Sequence, residues 1–103
     1  MDEETRSRIE GYVQGSPVVL FMKGSPEFPQ CGFSGRAVQI LKNLGVEFSS
    51  VDVLRDGEVR EGIKEFADWP TIPQLYINGE FVGGSDLMLE MYQSGELKDM
   101  LAA

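Results

Sequence analysis

The sequence predicts an α/β domain in which a mixed four-stranded sheet is flanked by helices, with an extra helix at the N-terminus. Three observations predict it. The hydrophobic period alternates in order between helical and strand-like spacing, with no repeat, low-complexity segment or linker. "VVLFMK", residues 18–23, is a continuous apolar run of strand length, as a strand buried on both faces requires. Asn78-Gly79, between two short strand-like segments, is a strong two-residue hairpin signal.

Each element follows from local pattern. Residues 2–14 form a short polar helix with Ile9, Tyr12 and Val13 on one side, ended by Gly15-Ser16-Pro17. The run at 18–23 is the first strand, and the loop "GSPEFPQ" with its two prolines leads to Cys31. Behind it, Phe33, Ala37, Ile40, Leu41 and Leu44 make one amphipathic stripe that stops at Gly45, which puts Cys31 at a helix N-terminus. "VEFSSVDV", 46–53, is the second strand; strand, helix and strand at this spacing favour parallel pairing through a right-handed crossover. Asp56 caps a helix whose stripe is Val59, Ile63, Phe66 and Ala67. Residues 74–77 and 80–82 form the hairpin, and Ser85 caps a last helical region that is interrupted near Gly95 and runs to the C-terminus, with the Met and aromatic residues of 87–92 in the core. The sum is the thioredoxin-like layout, with residues 1–103 as one domain.

Composition narrows the function. A chain of 103 residues, 42% hydrophobic and without an apolar run long enough to span a membrane, holds one core. Nine Lys and Arg against 17 Asp and Glu give a net charge of −8 with no basic stretch, which repels a phosphate backbone and argues against nucleic acid. The start, Met-Asp-Glu-Glu-Thr, has the features of neither a signal nor a transit peptide, so the chain reads as cytoplasmic, or as matrix or stroma if a presequence has been removed. One cysteine permits no internal disulfide and fits a reducing compartment. The absence of histidine removes every Cys-His or Ser-His pair and the commonest nitrogen ligand of zinc.

The chemistry centres on "PQCGFSGR", 29–36. A thiol at a helix start is acidified by unsatisfied N–H groups and the positive end of the dipole, so Cys31 reads as reactive rather than as a buried structural cysteine. Gly32 allows close backbone approach, and Phe33 either packs or walls the site. Ser34 is a local hydrogen-bonding residue, since no base is present to activate it. Lys23 ends the first strand near the thiol; on sequence alone it is either a solvated lysine or a cation placed for the thiolate. Arg60 and Lys64 flank the stripe of their helix and read as solvent-exposed charges. Trp69 reads as partly buried packing beside Pro70. Gly83-Gly84-Ser85-Asp86 offers free N–H groups for a carboxylate and a negative charge for an amine, although a helix cap alone also explains it.

"FMKGSPEFPQCGFS" and "WPTIPQLYINGEFVGGSD", in this order and over nearly the whole chain, resemble a monothiol glutaredoxin of the CGFS type. The resemblance implies that Lys23 and Arg60 bind the glycyl carboxylate of glutathione, and it leaves Lys64 unassigned. It implies a cis Ile72-Pro73 bond, with the backbone of Ile72 free to pair with an extended peptide, and it gives Gly84, Ser85 and Asp86 the zwitterionic γ-glutamyl end. The glutathione sulfur then points to Cys31. Many relatives carry a second cysteine where Ser85 stands, so this chain has no internal resolving thiol. A 2Fe-2S cluster requires four thiolates and one chain offers one, so two chains and two glutathiones complete the set. The resemblance therefore implies a 2Fe-2S cluster carrier, monomeric when empty and a cluster-bridged homodimer when loaded, delivering to Fe-S recipient apoproteins; it leaves open whether a BolA-like partner joins. The alternative is a monothiol oxidoreductase in which Cys31 attacks a glutathione mixed disulfide and a second glutathione regenerates it. A redox-inert adaptor ranks last because it ignores the reactive site.

Overall fold

The computed structural model of the chain describes residues 1–102; Ala103, where the sequence places the end of the final helix, lies outside them. The elements run α1 (Glu3–Gln14), β1 (Val18–Met22), α2 (Gly32–Asn43), β2 (Ser49–Asp52), a 3-10 turn (Val53–Arg55), α3 (Gly57–Ala67), β3 (Gln74–Ile77), β4 (Glu80–Gly83), α4 (Ser85–Ser94) and α5 (Glu96–Ala102). The sheet order is β2-β1-β3-β4. β1 pairs parallel with β2, antiparallel with β3, and β3 pairs antiparallel with β4. This is the mixed four-stranded, thioredoxin-like architecture that the period of the sequence predicts.

The period of two along β1 explains why an unbroken apolar run stands there. All five residues are buried. Val18, Leu20 and Met22 face α2, α4 and α5, among Ala37, Ile40, Leu41, Met88 and Leu97. Val19 and Phe21 face the other layer, among Ile9, Val13, Val59, Ile63 and Tyr76. The one core expected from the chain length is divided by the sheet into two apolar layers that share β1, and the sheet is held by burial on both sides. Tyr12, expected on the packed side of α1, is 40% exposed, yet its ring meets Phe21 edge to face at 6.3 Å.

Local chemistry fixes the ends. The Asp56 side chain accepts from the N–H groups of Glu58 and Val59 and caps α3. Asn78 at φ +51° and Gly79 at φ +81° make the positive-φ turn that the hairpin demands. Gly95 at φ +86° ends α4, with its N–H on the Tyr92 carbonyl.

Three expectations are corrected. The second strand is Ser49–Asp52 rather than 46–53, at the edge of the sheet; Val46 and Phe48 still pack on the core without joining the ladder. Phe33 leaves the α2 stripe and is 59% exposed. The N-cap of α4 is Gly84, and no side chain caps it; the Ser85 hydroxyl is taken by a residue of α2 instead.

Candidate functional site

The loop between β1 and α2 folds back on itself and returns the chain to the end of β1. Gly24 takes φ +91° and bridges to Pro29, and the Gln30 N–H donates to the Lys23 carbonyl at 2.8 Å. A Cβ on Gly24 would lie 2.5 Å from the Phe28 carbonyl oxygen, so only glycine fits this closure. Cys31 then stands as the N-cap of α2 in extended conformation. Its Sγ accepts from the Ser34 N–H at 3.4 Å and lies 3.7 Å from the Ser34 hydroxyl, which itself accepts from the Lys23 N–H at 3.0 Å. Burial pushes the Cys31 thiol up, but the N–H and hydroxyl of Ser34, the N–H of Phe33 and the charge of Lys23 together outweigh it, and the thiol lies below its ordinary 9.0.

Beside this thiol runs a cleft of about 370 Å³, within the range of small-ligand sites. Lys23 and Phe33 wall it near Cys31; Trp69, Pro70, Thr71, Ile72 and Pro73 form a second wall, and Gly84, Ser85, Asp86 and Leu87 a third. Lys64 of α3 also lines it. The Ile72-Pro73 bond is cis. Gly84 lets the walls approach, since a Cβ there would lie 3.2 Å from the Pro73 carbonyl oxygen and 3.4 Å from the indole nitrogen of Trp69. Trp69 is both packing and wall: its ring lies 5.6 Å from that of Phe81, and it also lines the cleft.

The residues singled out in the sequence therefore converge, with one displacement. Lys23, Ile72, Pro73, Gly84, Ser85 and Asp86 line the cleft, and Cys31 adjoins it between Lys23 and Phe33. Arg60 does not line it. It lies one turn before Lys64 on α3, and its Nε is buried without a hydrogen-bond partner. Lys64, left unassigned by sequence, supplies the cation at the wall and pairs with Glu61 at 3.2 Å.

Two residues that sequence reasoning missed hold the walls in place. Gln74, fully buried in β3, donates to the carbonyls of Trp69 and Thr71, both at 3.2 Å, and accepts from the Tyr76 hydroxyl at 3.1 Å. A polar side chain inside a buried strand was the signal that a partner network must exist. Arg36 of α2 reaches across to Ser85 and Asp86. Among the described residues no three His, Cys, Asp or Glu side chains converge as a metal site, and Cys31 is the one thiol of the sequence.

The site thus combines an acidified thiol at a helix start, Lys23 beside it, and a cleft that the acid-bearing start of α4 also lines. The glutaredoxin family model matches residues 18–82. The chain is 58% identical over 101 residues to a ycf64-like monothiol glutaredoxin of Synechocystis sp., covering 98% of this chain and 94% of that one. It is 55% identical over 104 residues to the mitochondrial monothiol glutaredoxin-5 of Saccharomyces cerevisiae, covering 98% of this chain and 69% of the relative. The solution structure of reduced poplar apo GrxS14 superposes with a TM-score of 0.83 at 50% identity, over 94% of this chain and 89% of that one. With one cysteine, at the N-cap of α2, the chain belongs to the glutaredoxin family, in its monothiol branch.

Proposed function

We propose that this chain binds glutathione along the cleft and uses Cys31 with the glutathione sulfur to hold a 2Fe-2S cluster as cargo between two copies of itself, for delivery to recipient apoproteins. The observation that carries the reading is the lone, acidified Cys31 beside a ligand-sized cleft. Four thiolates are needed and each chain brings one, so the remaining pair must come from a bound thiol, which the cleft is built to orient. Lys23 and Lys64, which line the cleft, are assigned the glycyl carboxylate, with Arg60, one turn before Lys64 on α3, as the further cation that the resemblance names; Ile72 and Pro73 take the extended backbone, and Gly84, Ser85 and Asp86 the γ-glutamyl head. Asp86 faces the ammonium, and the N–H groups at the start of α4 face its carboxylate. A cytoplasmic location, or a matrix or stroma one after loss of a presequence, completes the reading.

The same lowered thiol supports a second activity. The Cys31 thiolate attacks the glutathione sulfur of a mixed disulfide, the Cys31–glutathione bond forms, and the target leaves as a thiolate that takes a proton. A second glutathione thiolate then attacks the Cys31-bound sulfur, releasing oxidised glutathione and free Cys31. Stoichiometry separates the two. Size-exclusion chromatography under anaerobic conditions, with iron, sulfide and glutathione measured in each peak, is expected to give an iron-free monomer and a coloured dimer with one cluster and two glutathiones per two chains. A loaded monomer, or a cluster that survives complete removal of glutathione with no substitute thiol, overturns the carrier and leaves the oxidoreductase.

A further inference from the structure

Arg36, on the second turn of α2, makes three contacts with groups that line the cleft. Its Nε donates to the Ser85 hydroxyl at 2.8 Å, its Nη2 pairs with the Asp86 carboxylate, and its guanidinium carbon lies 5.8 Å from the centroid of the Phe33 ring. Ser85, Asp86 and Phe33 all line the cleft, and Arg36 does not. We propose that Arg36 is a positioning residue that sets the γ-glutamyl end of the cleft, so that this chain's selection of a γ-glutamyl ligand over a shorter thiol depends on it. The inference deepens the glutathione reading above and rests on it.

The argument is one of hydrogen-bond inventory. The Asp86 side chain is 91% exposed, and alone in water it would sample several rotamers. A guanidinium fork fixes it together with its neighbour, because two donors in one rigid plane grip two consecutive residues at the start of α4. The grip leaves the right groups free. Arg36 engages one Asp86 oxygen, so the other remains for an ammonium; it donates to the Ser85 oxygen, so the Ser85 proton remains to be donated. An acceptor oxygen and a hydroxyl donor, held side by side, complement the ammonium and carboxylate of an α-amino-acid head. As an exposed ion pair the contact adds little to folding, so its consequence lies in binding rather than stability.

The ligand pair that isolates this end is glutathione and cysteinylglycine, which share the thiol and the glycyl carboxylate and differ by the γ-glutamyl group. Both are titrated by NMR into the full-length, iron-free chain and its Arg36→Ala and Arg36→Lys variants, with thermal unfolding as a check on the fold. Arg36→Ala is expected to weaken glutathione about fivefold to tenfold and to leave cysteinylglycine within about twofold. Arg36→Lys is expected to recover less than half of the loss, since one ammonium cannot grip both residues in a plane. Unchanged glutathione affinity in Arg36→Ala, an equal loss for both ligands, or full recovery by lysine overturns the proposal. Failure of the unsubstituted chain to bind glutathione defeats the glutathione reading itself.

Discussion

The Ser34 hydroxyl lies 3.7 Å from the Cys31 sulfur while accepting the Lys23 N–H at 3.0 Å. Because that oxygen already accepts from the end of β1, its own proton is free for the sulfur, and one fully buried side chain links the strand end to the thiolate. Ser34→Ala removes both contacts. The Cys31 thiol is expected to rise, seen as an upward shift in the pH midpoint of thiolate absorbance and slower alkylation at neutral pH. The orphaned Lys23 N–H costs about 1–3 kcal/mol in denaturant unfolding. An unshifted titration would mean that the backbone N–H groups and Lys23 hold the thiolate without Ser34. In the native chain, a thiol whose folded value lies below the 9.0 of the unfolded chain adds stability that is fully present above 9.0 and lost as pH falls through the folded value. Ser34→Ala narrows that window from below.

Cys31 has a structural duty as well as a chemical one, because its sulfur caps α2 on the Ser34 N–H. Serine is a strong N-cap and alanine a poor one. Cys31→Ser is therefore expected to lose cluster binding and disulfide exchange while keeping the unfolding midpoint, and Cys31→Ala to lose about 0.5–2 kcal/mol besides. Equal stability of the two variants would show that the cap contributes nothing, and a visible-absorbing cluster in Cys31→Ser would remove Cys31 from the ligand set.

Gln74 ties the wall at Trp69–Thr71 to β3 through two carbonyls and reaches the Tyr76 hydroxyl. Gln74→Leu keeps the volume and removes every partner, leaving the buried Tyr76 hydroxyl unpaired while the carbonyls of the exposed Trp69 and Thr71 turn to water. A loss of about 1–3 kcal/mol is expected. Glutathione affinity should fall in parallel, since the wall loses its tether; native affinity in the folded fraction would show that the wall is set by other contacts.

What the sequence made legible was what is local. Asn78-Gly79 dictates its own turn, Asp56 caps the helix that it precedes, and the β1 run carries its burial on both faces in its composition. What it hid was tertiary. Val46 and Phe48 look like strand but contribute only packing, because the ladder with β1 begins opposite Val19, at Ser49. Ser85 looks like a cap, but its hydroxyl is claimed by Arg36, 49 positions earlier in the chain. Arg60 and Lys64 sit one turn apart on α3, and only the packing of that helix decides that Lys64 reaches the cleft wall. Gln74 reads as one polar residue in a strand until its three partners are seen.

Lys23 faces two ways, toward the thiolate whose pKa it helps to lower and into the cleft that it lines. Its backbone, held by the Ser34 hydroxyl and the Gln30 N–H, closes the loop without help from the ammonium, and among the described residues that ammonium forms no salt bridge. Reversing the charge should therefore spare the fold and strike the site twice. In Lys23→Glu the Cys31 thiol is expected to rise, and a carboxylate stands where the glycyl carboxylate of glutathione is proposed to bind, so the proposed loaded dimer would lose one such contact in each copy. Glutathione affinity is expected to fall about tenfold or more, and the dimer peak after anaerobic reconstitution to shrink with it. Lys42→Glu, at the far end of α2, changes the net charge equally and is the control for long-range repulsion. If Lys42→Glu weakens the dimer as much, overall charge governs assembly. If Lys23→Glu assembles normally, the cation that anchors glutathione must be sought on α3, at Lys64 or Arg60.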